Sequence, residues 1–218
     1  VKYFDFALPI TSRLAQDLKI DEARSEVFIG GMTQPGYDFL NYTQTYDDSA
    51  VFAGALEAYN GLDKILVAWS ELSTSTVLHV FGRGSLSLMA KEYADRYSNV
   101  VFHGFVDQEV VSEWQKKAKF NICLRYSSGI EEDYFFPSKF FNTSCGQGLL
   151  LVNNFKNIPC FFRSSQGMLK DDLSNLSFVV SLDEATINFE TKRRREYMTD
   201  LNSWYAILSK TYNRFGVS

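Results

Sequence analysis

Residues 135–142 read FFPSKFFN, and residues 145–152 continue as CGQGLLLV. The first stretch is typical of a loop that ends in Pro-Ser and runs into a short helix, and the second of a glycine stop before a buried strand. Pro137 suits the first position of a helix, because the backbone N–H that it lacks would have no partner there. The free N–H groups of that turn, together with Lys139, can face an anion. The alternative is an ordinary helix and strand that bind nothing.

The same alternation of short apolar runs and amphipathic stretches extends across most of the chain. We predict strands at residues 50–54, 77–81, 100–103, 121–124, 149–152 and 178–180. Helices are predicted near residues 62–69 and 85–97, and after Asp107, which can cap the third. Strands that alternate with helices at this spacing predict an α/β fold with a doubly wound, Rossmann-like parallel sheet.

Several of the predicted strands end on glycine, at Gly54, Gly82 and Gly104, and a loop at residues 127–129 follows another. In a doubly wound sheet, ligands bind beyond the carboxyl ends of the strands. Glycine lets a backbone approach a ligand closely, although a single glycine can also serve only to turn the chain. The recurrence of glycine at one edge of the sheet favours a binding cleft there.

The composition excludes several classes of protein. With 218 residues, 45% of them hydrophobic, the chain is one large domain or one domain plus a fragment, and it needs no metal or disulfide support. The formal net charge of −4 predicts no nucleic acid partner. There is no apolar stretch of about 18 residues and no signal peptide pattern. His79 and His103 are isolated in sequence, so neither a zinc site nor a histidine-based catalytic set is predicted.

The three cysteines, Cys123, Cys145 and Cys160, lie in or beside apolar runs. Their odd number and wide spacing predict buried, reduced thiols in a cytoplasmic protein rather than metal ligands.

One charge cluster lies at residues 192–195, which read KRRR. Such a cluster most commonly forms the solvated face of a helix. The sharper alternative is peripheral membrane contact, because anionic lipids attract basic clusters by about 1 kcal/mol per charge. The alternative would place the protein at the inner face of the membrane.

The two ends of the chain differ from its central part. We predict a strand at residues 6–10, a helix that is capped by Thr11 or Ser12 and ends near residue 18, and a strand at 27–29. Residues 33–48 are polar and aromatic and are typical of a linker. Residues 190–215 predict a long helix. Its apolar face carries Tyr197, Leu201, Trp204, Leu208 and Tyr212.

Four segments resemble, in order and spacing, the C-terminal half of family 4 (group 1) glycosyltransferases, whose two Rossmann-like domains form the GT-B arrangement. They are residues 51–63 (VFAGALEAYNGLD), 80–84 (VFGRG), 100–106 (VVFHGFV) and 136–142 (FPSKFFN). The resemblance implies a donor-binding domain at residues 49–189. The other implied parts are the end of an N-terminal domain at 1–32, a linker at 33–48 and a helix at 190–218 that crosses back.

The resemblance also implies retaining transfer of a sugar from a nucleoside-diphosphate donor to a glycan or lipid-linked acceptor, with no metal or other cofactor. The chain alone is then expected to be inactive, because the acceptor domain would be missing. No catalytic residue is assigned. The implied contacts are Phe105 and Val106 to the base, Asn142 to the ribose, and Pro137, Ser138 and Lys139 to the diphosphate. The remaining donor-site residues are Gly54, Asn60, Arg83, Glu131 and Tyr134.

The sequence departs from the family pattern at four positions. Many relatives carry an arginine just after the first glycine and a lysine just before the later one, and here these positions are Ala55 and Asn60. Many also carry two glutamates, and here the aligned positions are Tyr134 and Asn142. Glu131 or Glu132 would substitute only through a shifted loop. The cations that remain are Arg83, Arg125 and Lys139.

These departures leave two other functions open. A GT-B-like subunit that binds without catalysing would keep the fold and lose the chemistry. A nucleotide-sugar epimerase shares the architecture. It would bring carboxylates and a histidine into the cleft, and His103 is the nearest histidine.

Overall fold

The computed structural model describes residues 6–32, 36, 40, 45–126, 131–200 and 204–215. The strands are β1 (Asp47–Ala55), β2 (Val77–Arg83), β3 (Val100–Gly104), β4 (Ala118–Cys123), β5 (Leu149–Asn153) and β6 (Met168–Leu169). They form one parallel sheet in the order β3-β2-β1-β4-β5-β6. The predicted doubly wound α/β fold is confirmed.

Helices connect the strands and cover both faces of the sheet. They are α1 (Ser12–Asp17), α2 (Leu62–Ser70), α3 (Ser87–Arg96), α4 (Gln108–Lys117), α5 (Glu131–Tyr134), α6 (Lys139–Ser144), α7 (Cys160–Arg163), α8 (Leu176–Val180), α9 (Glu184–Asp200) and α10 (Trp204–Phe215). Short 3₁₀ turns lie at Glu22–Arg24 and Ala58–Asn60.

Alternate residues of each strand enter cores on opposite faces, as the period of two requires. In β1, Phe52 packs into the core that α2, α3 and α8 cover, where Trp69 is fully buried. Val51 packs into the opposite core beneath α4. Cys123, the last residue of β4, lies in a third core, beneath α6 and α7. Because both faces are covered, the strands read as nearly continuous apolar runs.

The predicted strand at residues 178–180 is wrong. These residues belong to α8, in which Leu176, Val179 and Val180 are buried and Phe178 is 61% exposed. That pattern of burial has helical spacing, whereas three consecutive apolar residues in the sequence do not distinguish a helix from a strand. The last strand is β6, which has only two residues and was missed.

The N-terminal residues form α1 as predicted, with the Thr11 hydroxyl accepting a hydrogen bond from the N–H of Leu14. The predicted strands at 6–10 and 27–29 are wrong: these residues form no strand, and Ala7 alone makes an isolated bridge, to Ser25. The linker at 33–48 lies largely outside the described residues, and β1 begins inside it, at residue 47. The predicted helix at 190–215 corresponds to α9 and α10, and residues 201–203, with the side chain of Trp204, lie outside the described residues.

The charge cluster at residues 192–195 is only partly a solvated face, because Lys192 is exposed and Arg194 is buried. Arg194 is 3% exposed, and its terminal nitrogens donate to the carbonyl oxygens of Gly146 and Gly148. Arg195 donates to the side chain of Gln147. Burial lowers the pKa of Arg194 to about 10, which still leaves it charged at neutral pH. The cluster therefore fastens α9 to the loop before β5.

Two of the three cysteines, Cys123 and Cys145, are buried, but Cys160 is exposed, which corrects the prediction of three buried thiols. Cys160 begins α7, a helix of a single turn whose start faces outward. None of the described helices is both long enough and apolar enough to cross a membrane.

Candidate functional site

A cleft of about 320 Å³ opens at the carboxyl edge of the sheet, where β1 and β2 end, and α4 and α6 flank it. Its lining includes six of the predicted site residues: Gly54, Arg83, Phe105, Val106, Lys139 and Asn142. These residues come from four separate segments of the sequence, and the fold brings them together at the predicted edge. Other lining residues that sequence reasoning did not single out are Gln108, Gln115 and Thr143.

The glycines at this edge differ in how much space a side chain would find there. A Cβ at Gly82 would lie 1.9 Å from the carbonyl oxygen of Gly54, so Gly82 is needed for the close approach of β2 to β1. A Cβ at Gly104 would meet no atom within 4 Å, and at Gly54 it would only touch the Lys139 side chain at 3.5 Å. Space for a ligand therefore lies beside Gly54, which lines the cleft, whereas Gly82 has a structural role.

Lys139 is the first residue of α6, and its side chain extends across the end of β1. Its ammonium nitrogen lies 4.6 Å from the centroid of the Phe52 ring. The nitrogen is buried and makes no hydrogen bond to any described residue. Burial lowers the pKa of Lys139. A buried amine without a partner is costly in the folded protein, which makes Lys139 the strongest candidate for contact with an anionic ligand.

The mouth of the cleft combines a cation with an exposed ring. The guanidinium of Arg83 lies 4.7 Å from the centroid of the Phe105 ring, and Phe105 is 67% exposed. Val106 packs beside it against the core beneath α4. An exposed aromatic ring next to a cation offers a stacking surface for a planar group.

Several predicted site residues are engaged elsewhere. The amide of Asn60 donates to the carbonyl oxygen of Ala55 at 2.8 Å. The hydroxyl of Tyr134 donates to Asp17 on α1. The carboxyl side chain of Glu131 lies outside the described part of the structure, so its predicted role stays untested.

The predicted position of the helix start is wrong, because Pro137 is not the first residue of α6. The helix begins two residues later, at Lys139, and has six residues. Pro137 is buried and its carbonyl oxygen accepts from the N–H of Phe140. Ser138 is exposed and makes no side-chain cap. Because Pro137 lies outside the helix, its ring orders the turn before α6, and the contact of Pro137, Ser138 and Lys139 with an anion stays a prediction.

Gln115 lines the cleft but was not predicted, although the sequence contained a signal for it. It is buried on the inner side of α4, and its amide nitrogen lies 3.5 Å from the hydroxyl of Thr143. A polar residue at a core-facing position of an amphipathic helix was the available signal. A second cleft of about 350 Å³ runs along α4 and shares Gln108, Gln115 and Asn142 with the first.

The two histidines lie away from the cleft. His79 and His103 contact each other through ring nitrogens 2.9 Å apart, beneath Trp114. Burial, together with His103, lowers the pKa of His79 to about 4. Neither histidine is among the residues that line the cleft, and neither is any described carboxylate. This arrangement removes the support for an epimerase.

Comparison with solved structures finds the same fold in several glycosyltransferases. Anabaena HepE, solved in complex with UDP and glucose, matches 100% of this chain and 64% of its own length, with a TM-score of 0.73 at 8% identity. Staphylococcus aureus TarM, solved as a mutant with fondaparinux, alpha-GlcNAc-glycerol and UDP, matches 98% of this chain and 44% of its own length, with a TM-score of 0.70 at 13% identity. WaaG, a glycosyltransferase involved in lipopolysaccharide biosynthesis, matches 97% of this chain and 62% of its own length, with a TM-score of 0.63 at 13% identity.

No family model and no curated protein sequence matches the chain. The chain spans less than two thirds of the length of each of these three structures. At these identities the likeness establishes the fold alone. The chain has the fold of the GT-B glycosyltransferases, and the resemblance read from its sequence is confirmed at that level.

Proposed function

We propose that this chain is the donor-binding domain of a retaining GT-B glycosyltransferase, which transfers a sugar from a nucleoside diphosphate to a glycan or lipid-linked acceptor. The observation that carries the proposal is the cleft at the carboxyl edge of the sheet. Residues assigned to base, ribose and diphosphate from the sequence alone line that one cleft: Phe105, Val106, Asn142 and Lys139. HepE, which has the same fold, was solved with UDP-glucose as well as with UDP.

The proposed reaction requires two things of the protein. In glycosyl transfer from a nucleotide sugar, the protein orients the donor and stabilises the charge that develops on the diphosphate leaving group. The ammonium of Lys139 supplies that positive charge at a buried position, where it is worth more than in open water. Asn142 offers an amide to ribose hydroxyls, and Phe105 offers a stacking face to the base.

Transfer activity is proposed for a protein that contains this chain together with an acceptor-binding domain. We expect the chain alone to bind donor and transfer nothing, because a cleft between two domains needs both. The proposal places the protein in the cytoplasm and does not extend to a membrane surface. Two arginines of the basic cluster, Arg194 and Arg195, are hydrogen-bonded within the chain.

The proposal is tested by titrating the chain with UDP, ADP and GDP, and with the glucose conjugate of each, by calorimetry at low salt. We expect saturable binding of the diphosphates of one base, with the parent nucleoside binding more weakly. Absence of saturable binding for every nucleotide would overturn the proposal.

A second candidate function, that of a non-catalytic subunit, is favoured by the side-chain hydrogen bonds of Asn60 and Tyr134. Both occupy positions where relatives carry donor-binding charges, and both side chains are engaged within the chain. A non-catalytic subunit with the same fold would tolerate such changes. Hydrolysis or transfer of the bound sugar by the longer protein would exclude this alternative, and tight nucleotide binding without either reaction would support it.

A further inference from the structure

The segment that follows β1 supplies no cation to the cleft. Ala55 stands where the resembled family carries an arginine, and Asn60 where it carries a lysine. The amide of Asn60 is bonded to the carbonyl oxygen of Ala55, so this side chain closes its own turn. A nucleoside diphosphate carries several negative charges. Its strongest contacts would be charge-assisted hydrogen bonds, and the cations for them must come from another element.

Arg125 lies beside this segment, at the end of β4. The parallel register places Phe52 of β1 opposite Ile122 of β4, and Ala55 and Arg125 each follow three residues later. β4 ends at Cys123, and the N–H of Tyr126 donates to the carbonyl oxygen of Tyr59, so the backbone of Arg125 runs beside the turn that contains Asn60.

The guanidinium of Arg125 is held from two sides. It lies 4.6 Å from the centroid of the Tyr59 ring and 4.1 Å from that of the Phe135 ring. Asn153 accepts from the backbone N–H of Arg125 and donates to its carbonyl oxygen, both at 2.8 Å. The rings fix the plane of the guanidinium without using its N–H donors. The backbone bonds fix the end of the strand independently of the side chain.

Arg125 and Lys139 are two cations without an anionic partner among the described residues. The six ion pairs of the described residues include neither side chain. The Nε of Arg125 and the Nζ of Lys139 are buried and make no hydrogen bond. Cys123 lies near Lys139, but burial raises its pKa to about 11 and keeps it neutral. Arg125 lies close enough to Lys139 for its charge to help lower the pKa of the lysine, to which burial contributes most. Two like charges held this close cost free energy, and a bound anion would recover it.

We propose that Arg125 and Lys139 together bind the diphosphate of the donor and replace the cations that are missing at Ala55 and Asn60. The inference rests on the proposed function and adds Arg125 to its donor-binding residues. The diphosphate is contacted from β4 and α6, instead of from the segment after β1. Base and ribose contact other residues, so Arg125 contributes to affinity for the diphosphate and not for the nucleoside.

The test compares the wild-type chain with Arg125→Met, using UDP and uridine, or the diphosphate and nucleoside of whichever base the titration panel selects. Met keeps an unbranched, flexible side chain beside Tyr59 and Phe135, although a shorter one, and removes the charge. We expect the affinity for the diphosphate to fall about tenfold and the affinity for the nucleoside to change by less than about twofold. Arg96→Met is the matched control, because Arg96 also lies over a ring, that of Tyr97, but on α3.

A second variant tests the replacement itself. Ala55→Arg, introduced into Arg125→Met, restores the arginine at the position where the resembled family carries it. We expect this double variant to recover most of the lost affinity for the diphosphate. Recovery would also show that Arg125→Met is compatible with the folded, binding-competent chain.

Each remaining outcome counts against a specific claim. Wild-type affinity for the diphosphate in Arg125→Met would overturn the role of Arg125 and leave the proposed function standing. Equal losses for diphosphate and nucleoside would mean that Arg125 only supports the structure, which also overturns the inference. A wild-type chain that binds no nucleoside diphosphate would refute the proposed function, and the inference with it.

Discussion

Two cations whose charged groups are buried differ in their hydrogen bonding to the rest of the chain. Arg194 on α9 donates through its terminal nitrogens to the carbonyl oxygens of Gly146 and Gly148, and only its Nε lacks a partner among the described residues. The ammonium of Lys139 on α6 makes no hydrogen bond with any described residue, and Lys139 lines the cleft. A buried charge that the fold has satisfied contributes to stability, whereas one that the fold leaves unsatisfied lowers stability and is available to a ligand.

The largest effect is expected at Arg194. Arg194→Met leaves the two carbonyl oxygens before β5 buried without donors, and we expect the free energy of unfolding to fall by about 2–5 kcal/mol. Urea denaturation followed by circular dichroism measures the change. Lys192→Met, at an exposed position on the same helix, is the matched control and should change stability little. Equal stability of the two variants would contradict the structural role of Arg194.

Lys139 should respond with the opposite sign. Lys139→Met removes an unpaired buried charge, and we expect the free energy of unfolding to rise by about 1 kcal/mol. The same variant should lose about 1–2 kcal/mol of affinity for the nucleoside diphosphate, with the nucleoside unaffected. Denaturation and titration of one preparation measure both changes. A loss of stability like that of Arg194→Met would show that the two cations do not differ.

Much of the fold followed from the sequence, because parallel strands buried on both faces read as apolar runs that close on glycine. The five long strands were predicted for this reason, and β6 was missed because two residues carry no period. The cleft was predictable to the same extent, since topology places the ends of β1, β2 and β3 at one edge.

The partners of individual side chains were not predictable. A run of four basic residues looks solvated in sequence, and only the packing of α9 against the loop before β5 shows that Arg194 is buried. Similarly, Tyr134 aligns with a donor-binding position, yet α1, more than 100 residues away in the sequence, takes its hydroxyl. Such contacts depend on tertiary structure, which local sequence patterns do not encode.

His79 is a third kind of buried group, because the fold accommodates its neutral form better than its charged form. The pKa of His79 is about 4 in the folded protein, and an unfolded histidine titrates near 6.5. As pH falls below 6.5, the unfolded state binds the proton first, so stability present at neutral pH is lost towards pH 4. Because His79 is only half-buried, we expect a loss of about 1 kcal/mol. Denaturation midpoints between these pH values measure it, and His79→Phe should flatten the dependence. An equally steep dependence in that variant would assign it to other groups.

The smallest effect is expected at the mouth of the cleft, where Asn142 aligns with a glutamate that holds the ribose in many relatives. Asn142→Glu replaces a neutral hydrogen bond with a charge-assisted one, and we expect about 0.5–1 kcal/mol tighter binding of the ribonucleoside. The gain should be absent for the 2′-deoxynucleoside, which lacks the hydroxyl that the carboxylate would accept from. Residue 142 also lies one helical turn from Lys139, within reach of an ion pair. If the new carboxylate pairs with the ammonium of Lys139, the nucleoside will gain nothing and the diphosphate will bind more weakly. That result would contradict the ribose assignment and would show that the unpaired charge of Lys139 is what the diphosphate requires.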